Sequence, residues 1–151
     1  DDARLEPATA FDLAQLLLTV VDDFKDAGGE VAYEGPARLV YIGRPIGLKR
    51  ALTNLVDNAI KYGDQAGVRL KVERDRVRIE VVDRGPGIAS EYQEQVFAPF
   101  FRIEGSRNKN TGGVGLGLPS ARATVLEHGG SLTLRDRSAG GLAVGVVLPL
   151  G

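Results

Sequence analysis

Apolar residues recur along the chain with two periods. In "FDLAQLLLTVVDDFKDAGG" Leu13, Leu16, Leu17, Val20, Val21 and Phe24 return every three or four positions. That spacing predicts an amphipathic helix over about residues 12–27, stopped by Gly28 and Gly29. "EVAYEG" and "ARLVYIG" read as two short strands, and a second helix is predicted over 45–62, with Pro45 suited to its first turn. "VRLKVE" and "RVRIEVVD" alternate strictly: Val68, Leu70, Val72, Val77, Ile79 and Val81 share one face, and Arg69, Lys71, Glu73, Arg76, Arg78 and Glu80 the other. This predicts a hairpin with one buried side. A short helical stretch follows near 90–96, then the aromatic "FAPFF" and a polar, unpatterned "RIEGSRNKNTGG". A third helix over 118–127, closed by Gly129 and Gly130, leads into the strands "SLTLRDR" and "LAVGVVLPL". The order predicts an α/β (α+β) two-layer sandwich, a largely antiparallel sheet whose apolar face is covered by three helices.

The second helix carries an anomaly. In "TNLVDNAIKYG" two asparagines stand four residues apart, although asparagine is a poor residue for a helix interior. At 100° per residue Leu48, Leu52, Leu55 and Ala59 form a core face, with Val56 close by. Asn54, Asn58 and Lys61 gather on a separate stripe, flanked by Arg50 and Asp57. Amide oxygens are hard, neutral ligands that suit Mg²⁺, and a lysine offers phosphate a point charge. A merely solvated polar face would look the same, so the stripe needs support from elsewhere in the chain.

Glycine gives that support. Twenty glycines are present, and they cluster at the ends of patterned segments. "VVDRGPGI" sets Asp83 at the end of a strand, immediately before a tight turn. Its carboxyl can accept from the amino group of a base, while Gly85 and Gly87 let a flat ring approach the backbone; a plain Pro-Gly turn has the same residues. "TGGVGLGLPSARATVLEHGG" runs glycine-rich backbone into a helix, where free N–H groups and the helix dipole favour an anion. It is neither a P-loop, since no G-x-x-x-x-G-K-[ST] occurs, nor a good Rossmann fingerprint, since a polar loop precedes it. The intervening dozen residues carry Arg102, Arg107 and Lys109 against Glu104 alone, and a loop of that length is expected to be functional or disordered, with disorder within 105–112.

Composition narrows the classes. A net charge of −1 argues against a protein that coats nucleic acid, and the lack of cysteine excludes disulfides and thiolate metal sites. No apolar run approaches the roughly 20 residues of a membrane span. The 151 residues fit a single domain, and a start without methionine suits a piece of a longer protein.

Four stretches in one order resemble the ATP-binding catalytic domain of the sensor histidine kinases. "NLVDNAIKYG" resembles that family's asparagine box, "DRGPGI" its first glycine box, "FAPFFR" its phenylalanine box and "GGVGLGL" its second glycine box. The resemblance implies the Bergerat fold, a mixed sheet under three helices with a mobile ATP lid, and Mg²⁺·ATP as its ligand. It implies that Asn58 holds Mg²⁺, Asn54 lies by the phosphates, Lys61 contacts phosphate and Tyr62 lies on the adenine. Asp83 would accept from the adenine amino group, with Gly85, Gly87 and Ile88 shaping the base pocket. Gly113, Val114, Gly115, Leu116, Gly117 and Leu118 would cover the phosphates, and Arg102 would reach the terminal one. Phe97 and Phe100 would pack the lid. Pro119 departs from the family's usual alanine or serine, a change that a first helical turn tolerates.

Related hydrolases carry a water-activating glutamate where Asn54 stands, and an amide cannot act as that base. The resemblance therefore favours transfer to a protein nucleophile over hydrolysis, with catalysis by Asn54, Lys61 and Arg102. The sole histidine, His128, sits at a helix C-terminus and reads as structural, a cation suited to the dipole there. The phosphoacceptor histidine would then lie on a separate dimerisation domain of the same kinase, a homodimer, which passes phosphate to a response-regulator aspartate. A cytoplasmic domain of an inner-membrane protein is expected, with no nucleic-acid partner. Two alternatives stand beside this one: a serine kinase that regulates a sigma factor, and a non-catalytic nucleotide-binding module.

Overall fold

The computed structural model describes residues 6–63, 65–83, 118–136 and 141–150, with Tyr62 and Asp136 described in the main chain only. The helix expected near 90–96, the aromatic segment, the basic loop and the second glycine box lie outside the described residues.

The chain opens with a strand that the pattern did not predict, β1 (Thr9–Asp12). Helix α1 (Leu13–Asp26) begins where Asp12 turns from extended backbone into an N-cap, its carboxyl accepting from the Gln15 N–H at 3.2 Å. Strand β2 (Glu30–Glu34) and strand β3 (Val40–Gly43) follow, then helix α2 (Pro45–Gly63). Strands β4 (Gln65–Glu73) and β5 (Arg76–Asp83) form the expected hairpin. Helix α3 (Leu118–Glu127), β6 (Ser131–Asp136) and β7 (Leu142–Pro149) complete the described chain. Both Gly-Gly pairs stop their helices in one way. Gly28 and Gly129 take φ of +92° and +76°, and the N–H of the next glycine reaches back to Phe24 O and Val125 O.

Five strands form one mixed sheet in the order β2-β4-β5-β7-β6, with β2 parallel to β4 and the other pairs antiparallel. The fold is the expected sandwich of three helices on a mixed sheet. Strand β3 does not join it; β3 starts later than "ARLVYIG" suggested and pairs with β1 in a separate two-stranded sheet. Phe11 and Tyr41 face each other there, rings edge-on at 6.0 Å, and burial pushes the Tyr41 phenol above its ordinary pKa.

Alternation assigns the faces of the large sheet. Val68 and Leu70 of β4, Val77, Ile79 and Val81 of β5, and Val146 and Leu148 of β7 are buried, packed with Leu17 and Val21 of α1 and Leu52, Leu55 and Val56 of α2. Val72 departs from the expectation at 49 % exposure, because it lies one residue from the end of β4, at the margin of the core. The opposite face is closed by charge. Arg69 bridges Glu34 at 3.4 Å and Glu80 at 3.7 Å, and Arg135 meets Glu80 at 3.4 Å. Arg135 reaches across β7 because the residues below it there are Ala143 and Gly145. That row satisfies the solvent face without helical cover.

Two outcomes follow from this packing. Ile79, fully buried on the central strand β5, is expected to cost about 2–5 kcal/mol when cut to alanine, read as a loss of ΔG in urea unfolding. Asp12 is the acidic counterpart. The Leu39 N–H, at 2.9 Å, holds its carboxyl below the ordinary aspartate pKa, helped by Gln15. A lowered folded pKa means its stabilisation is full above the ordinary value of about 3.9 and fades as pH falls through the folded one. Asp12→Ala should lower Tm at pH 7 and flatten the fall in Tm below pH 4, measured by thermal melts across pH.

Candidate functional site

The site grows from the meeting of α2 with the end of β5. On α2 the turns alternate between buried and half-buried residues: Leu55, Val56 and Ala59 are in the core, while Asn54, Asp57 and Asn58 are half-buried. Asn54 and Asn58 thus leave the apolar core beside them, as their separate stripe requires. Lys61 extends that stripe but is exposed, and Asp57 one turn earlier holds its ammonium at 3.0 Å. Asp57 therefore tethers the lysine, a role the stripe alone did not reveal. The pair is partly solvated and contributes little to stability.

Asp83 closes β5. Alternation from Val77, Ile79 and Val81 puts it on the helix-facing side, opposite Ala66 of β4, where it is 8 % exposed. It is the one acidic side chain buried among the described residues. A buried carboxyl must find donors, and the N–H of Leu142, at the start of β7, supplies one to Oδ1 at 3.1 Å. Helix α2 ends directly on it, for the Gly63 backbone lies against the Asp83 side chain. The asparagine helix and the base-recognising candidate thus share a junction.

Helix α3 completes the frame. Its Thr124 lies near Gly47, and its C-terminal His128 accepts the Arg44 N–H on Nε2 at 3.0 Å. Moving four residues back along α3 therefore moves about three forward along α2, so the two run antiparallel. By the same ratio the start of α3 comes alongside about residues 51–52 of α2. Leu118, at the start of α3, is buried in the core. His128 is structural, as expected, but not as a cation for the dipole. Its Nε2 is an acceptor, so the ring proton sits on Nδ1, donated to Thr124 O at 2.8 Å. At the same, N-terminal end of α2, the Glu6 carboxyl accepts from the Ile46 and Gly47 N–H groups at 2.7 and 3.0 Å and so caps the asparagine helix.

Of the sequence candidates, Asn54, Asn58, Lys61, Asp83 and Leu118 lie on these elements, and Tyr62 is in α2 with its side chain undescribed. Gly85, Gly87, Ile88, Arg102, Gly113, Val114, Gly115, Leu116 and Gly117 fall outside the described residues. Sequence reasoning missed Gly63, Leu142, Asp57 as tether and Glu6 as cap. Only Asp57 left a signal, its i,i+4 spacing to Lys61.

A cleft of about 340 Å³ over β2, β4 and β5 includes Asp83, but Glu30, Glu34 and Arg69 line it and the asparagine stripe does not. Its two glutamates make it a poor seat for phosphates. No cluster of three acidic, histidine or cysteine ligands exists among the described residues. A divalent ion at α2 would be held by Asn58 and by a ligand's own phosphates, the manner in which Mg²⁺ usually binds nucleotides.

The described elements form an α/β sandwich in which an amide-bearing helix ends on a buried aspartate. The model of the histidine kinase-, DNA gyrase B- and HSP90-like ATPases matches residues 43–151, and the chain belongs to that family of ATP-using domains. It is 39 % identical over 144 residues to the sensor histidine kinase GtrS of Pseudomonas aeruginosa, covering 95 % of this chain and 29 % of GtrS. It is 38 % identical over 109 residues to CpxA of Escherichia coli K12, covering 72 % of this chain and 24 % of CpxA. The chain thus spans under a third of the length of these relatives. Among solved structures, the catalytic domain of histidine kinase ThkA superposes with a TM-score of 0.82 at 26 % identity, covering 95 % of each chain. The histidine kinase domain of the E. coli osmosensor EnvZ gives 0.74 at 33 % identity, covering 96 % of this chain and 90 % of that one.

The Leu142 contact yields a test. Asp83→Ala strands a buried N–H and should cost about 1–3 kcal/mol, several degrees in Tm. Asp83→Asn keeps an acceptor oxygen and should melt nearer the wild type in the same calorimetric scan.

Proposed function

We propose that this chain is the ATP-binding catalytic domain of a two-component sensor histidine kinase, one domain of a longer protein. The observation that carries the reading is that α2, the helix bearing the asparagine stripe, ends with Gly63 against the buried Asp83, in a family defined by ATP use. Asp83 accepts from the exocyclic amino group of adenine, with Tyr62, Gly85, Gly87 and Ile88 around the ring. Lys61 meets phosphate, released from Asp57 when a stronger anion arrives. Asn54 and the amides of residues 113–118 hold the phosphate chain, and Arg102 neutralises its end. Asn58 holds Mg²⁺, which supplies charge neutralisation on the phosphates.

Because Asn54 is an amide, the position that activates water in related hydrolases offers no base here, and the γ-phosphate is kept for a nucleophile brought from outside. That nucleophile is a histidine on a dimerisation domain of the same protein, as in a sensor kinase, with onward transfer to a response-regulator aspartate. His128 is unsuited to the role, since both ring nitrogens are engaged. No helix among the described residues is long and apolar enough to cross a membrane. We assign the domain to the cytoplasm, where ATP is, and any anchor to other parts of the protein.

The test is calorimetric titration with ATP, with and without Mg²⁺. Saturable binding is expected, and Asn58→Ala should abolish most of the Mg²⁺ enhancement while Lys61→Ala weakens ATP about tenfold with Tm almost unchanged. Absence of binding by the folded chain would contradict the proposal.

A further inference from the structure

We infer that Gly63 is a positioning residue for adenine recognition, its missing side chain being what seats the carboxyl of Asp83. The inference rests on the reading of Asp83 as acceptor for the base. A Cβ added at Gly63 would lie 2.6 Å from Cβ of Asp83, 2.7 Å from Cγ and 2.8 Å from Oδ1. All three distances are far inside van der Waals contact. Rotation of the Asp83 side chain could move Cγ and Oδ1 aside. It cannot move Cβ, which the β5 backbone carries in register with Ala66. Any side chain at position 63 therefore forces the end of α2 away from the end of β5.

Backbone conformation does not account for this glycine. The described glycines with positive φ are Gly28, Gly35, Gly129 and Gly141, and Gly63 is a residue of α2 outside that set. Within a helix glycine is less favourable than alanine. The methyl group is absent because Asp83 occupies its place. With the Gly63 backbone on one side and the Leu142 N–H on Oδ1, the carboxyl is confined to one orientation. A hydrogen bond to an amino group weakens steeply when its acceptor is misaligned, so this confinement sets how well the site separates an amino group from its absence.

The test compares ATP with purine riboside 5′-triphosphate, which lacks the 6-amino group, on wild type, Gly63→Ala and Asp83→Asn by calorimetric titration. Wild type should prefer ATP. Gly63→Ala should lose about tenfold or more of ATP affinity, the worth of a strong hydrogen bond, and less than about threefold for the analogue. A folded Gly63→Ala that keeps the wild-type preference, or that weakens both nucleotides equally, overturns the inference while leaving the Asp83 reading intact. An unchanged preference in Asp83→Asn overturns that reading and this inference with it. Should Gly63→Ala fail to fold, Gly63→Ala combined with Asp83→Gly removes the three atoms nearest the added methyl. The double variant should then melt like Asp83→Gly alone, and persistent unfolding overturns the inference.

Discussion

Asp83 is a carboxyl taken out of water on the helix-facing side of a sheet, and its neighbourhood is arranged around that fact. Burying such a group is unfavourable unless donors meet it. Leu142 donates from β7, and the end of α2 comes close enough to wall it in because residue 63 has no side chain. One residue thus ties together the last turn of the asparagine helix, the end of the central hairpin and the start of the last strand. The phosphate-facing part of the account, the stripe on α2, inherits its position from the same junction. A buried polar group of this kind is where a specific contact to a ligand is expected.

The remaining architecture separates two tasks. The inner sheet face and three helices supply the apolar core. The outer face is finished by the Glu34-Arg69-Glu80-Arg135 row, which needs no partner layer. The ends of α2 and α3 far from Asp83 are fastened by Glu6 on the first amides of α2 and by His128 on the Arg44 N–H. The one histidine is therefore used up in holding the frame.

Much of this was legible in the sequence because it is local. The 3.6-residue period of Leu13 to Phe24, the alternation of β4 and β5, and the Gly-Gly helix stops each depend on neighbours within a few residues. Asn54 and Asn58 stood out since asparagine is a poor helix-interior residue, and Asp83 since it ends a strand just before a glycine-rich turn. What was hidden is non-local. Strand β1 has four residues and no alternation long enough to read, and its pairing with β3, about thirty residues on, diverts β3 from the main sheet. The parallel pairing of β2 with β4 depends on α2 crossing over between them. Gly63 carried no signal in the sequence, and only the distance to Asp83, twenty positions away, gives its reason. Leu142 offers a main-chain N–H that no side-chain pattern encodes.

The central claim is that nucleotide binds at the junction of α2, β5 and β7 on the helix side of the sheet. Backbone amide NMR of the isotope-labelled chain, titrated with Mg²⁺ and a non-hydrolysable ATP analogue, tests this most directly. The account predicts the largest shifts at Asn54, Asn58, Gly63, Asp83 and Leu142, with Arg69, Glu80 and Arg135 on the outer face unmoved. Shifts centred on the outer face, or on the cleft walls Glu30 and Glu34, would contradict it.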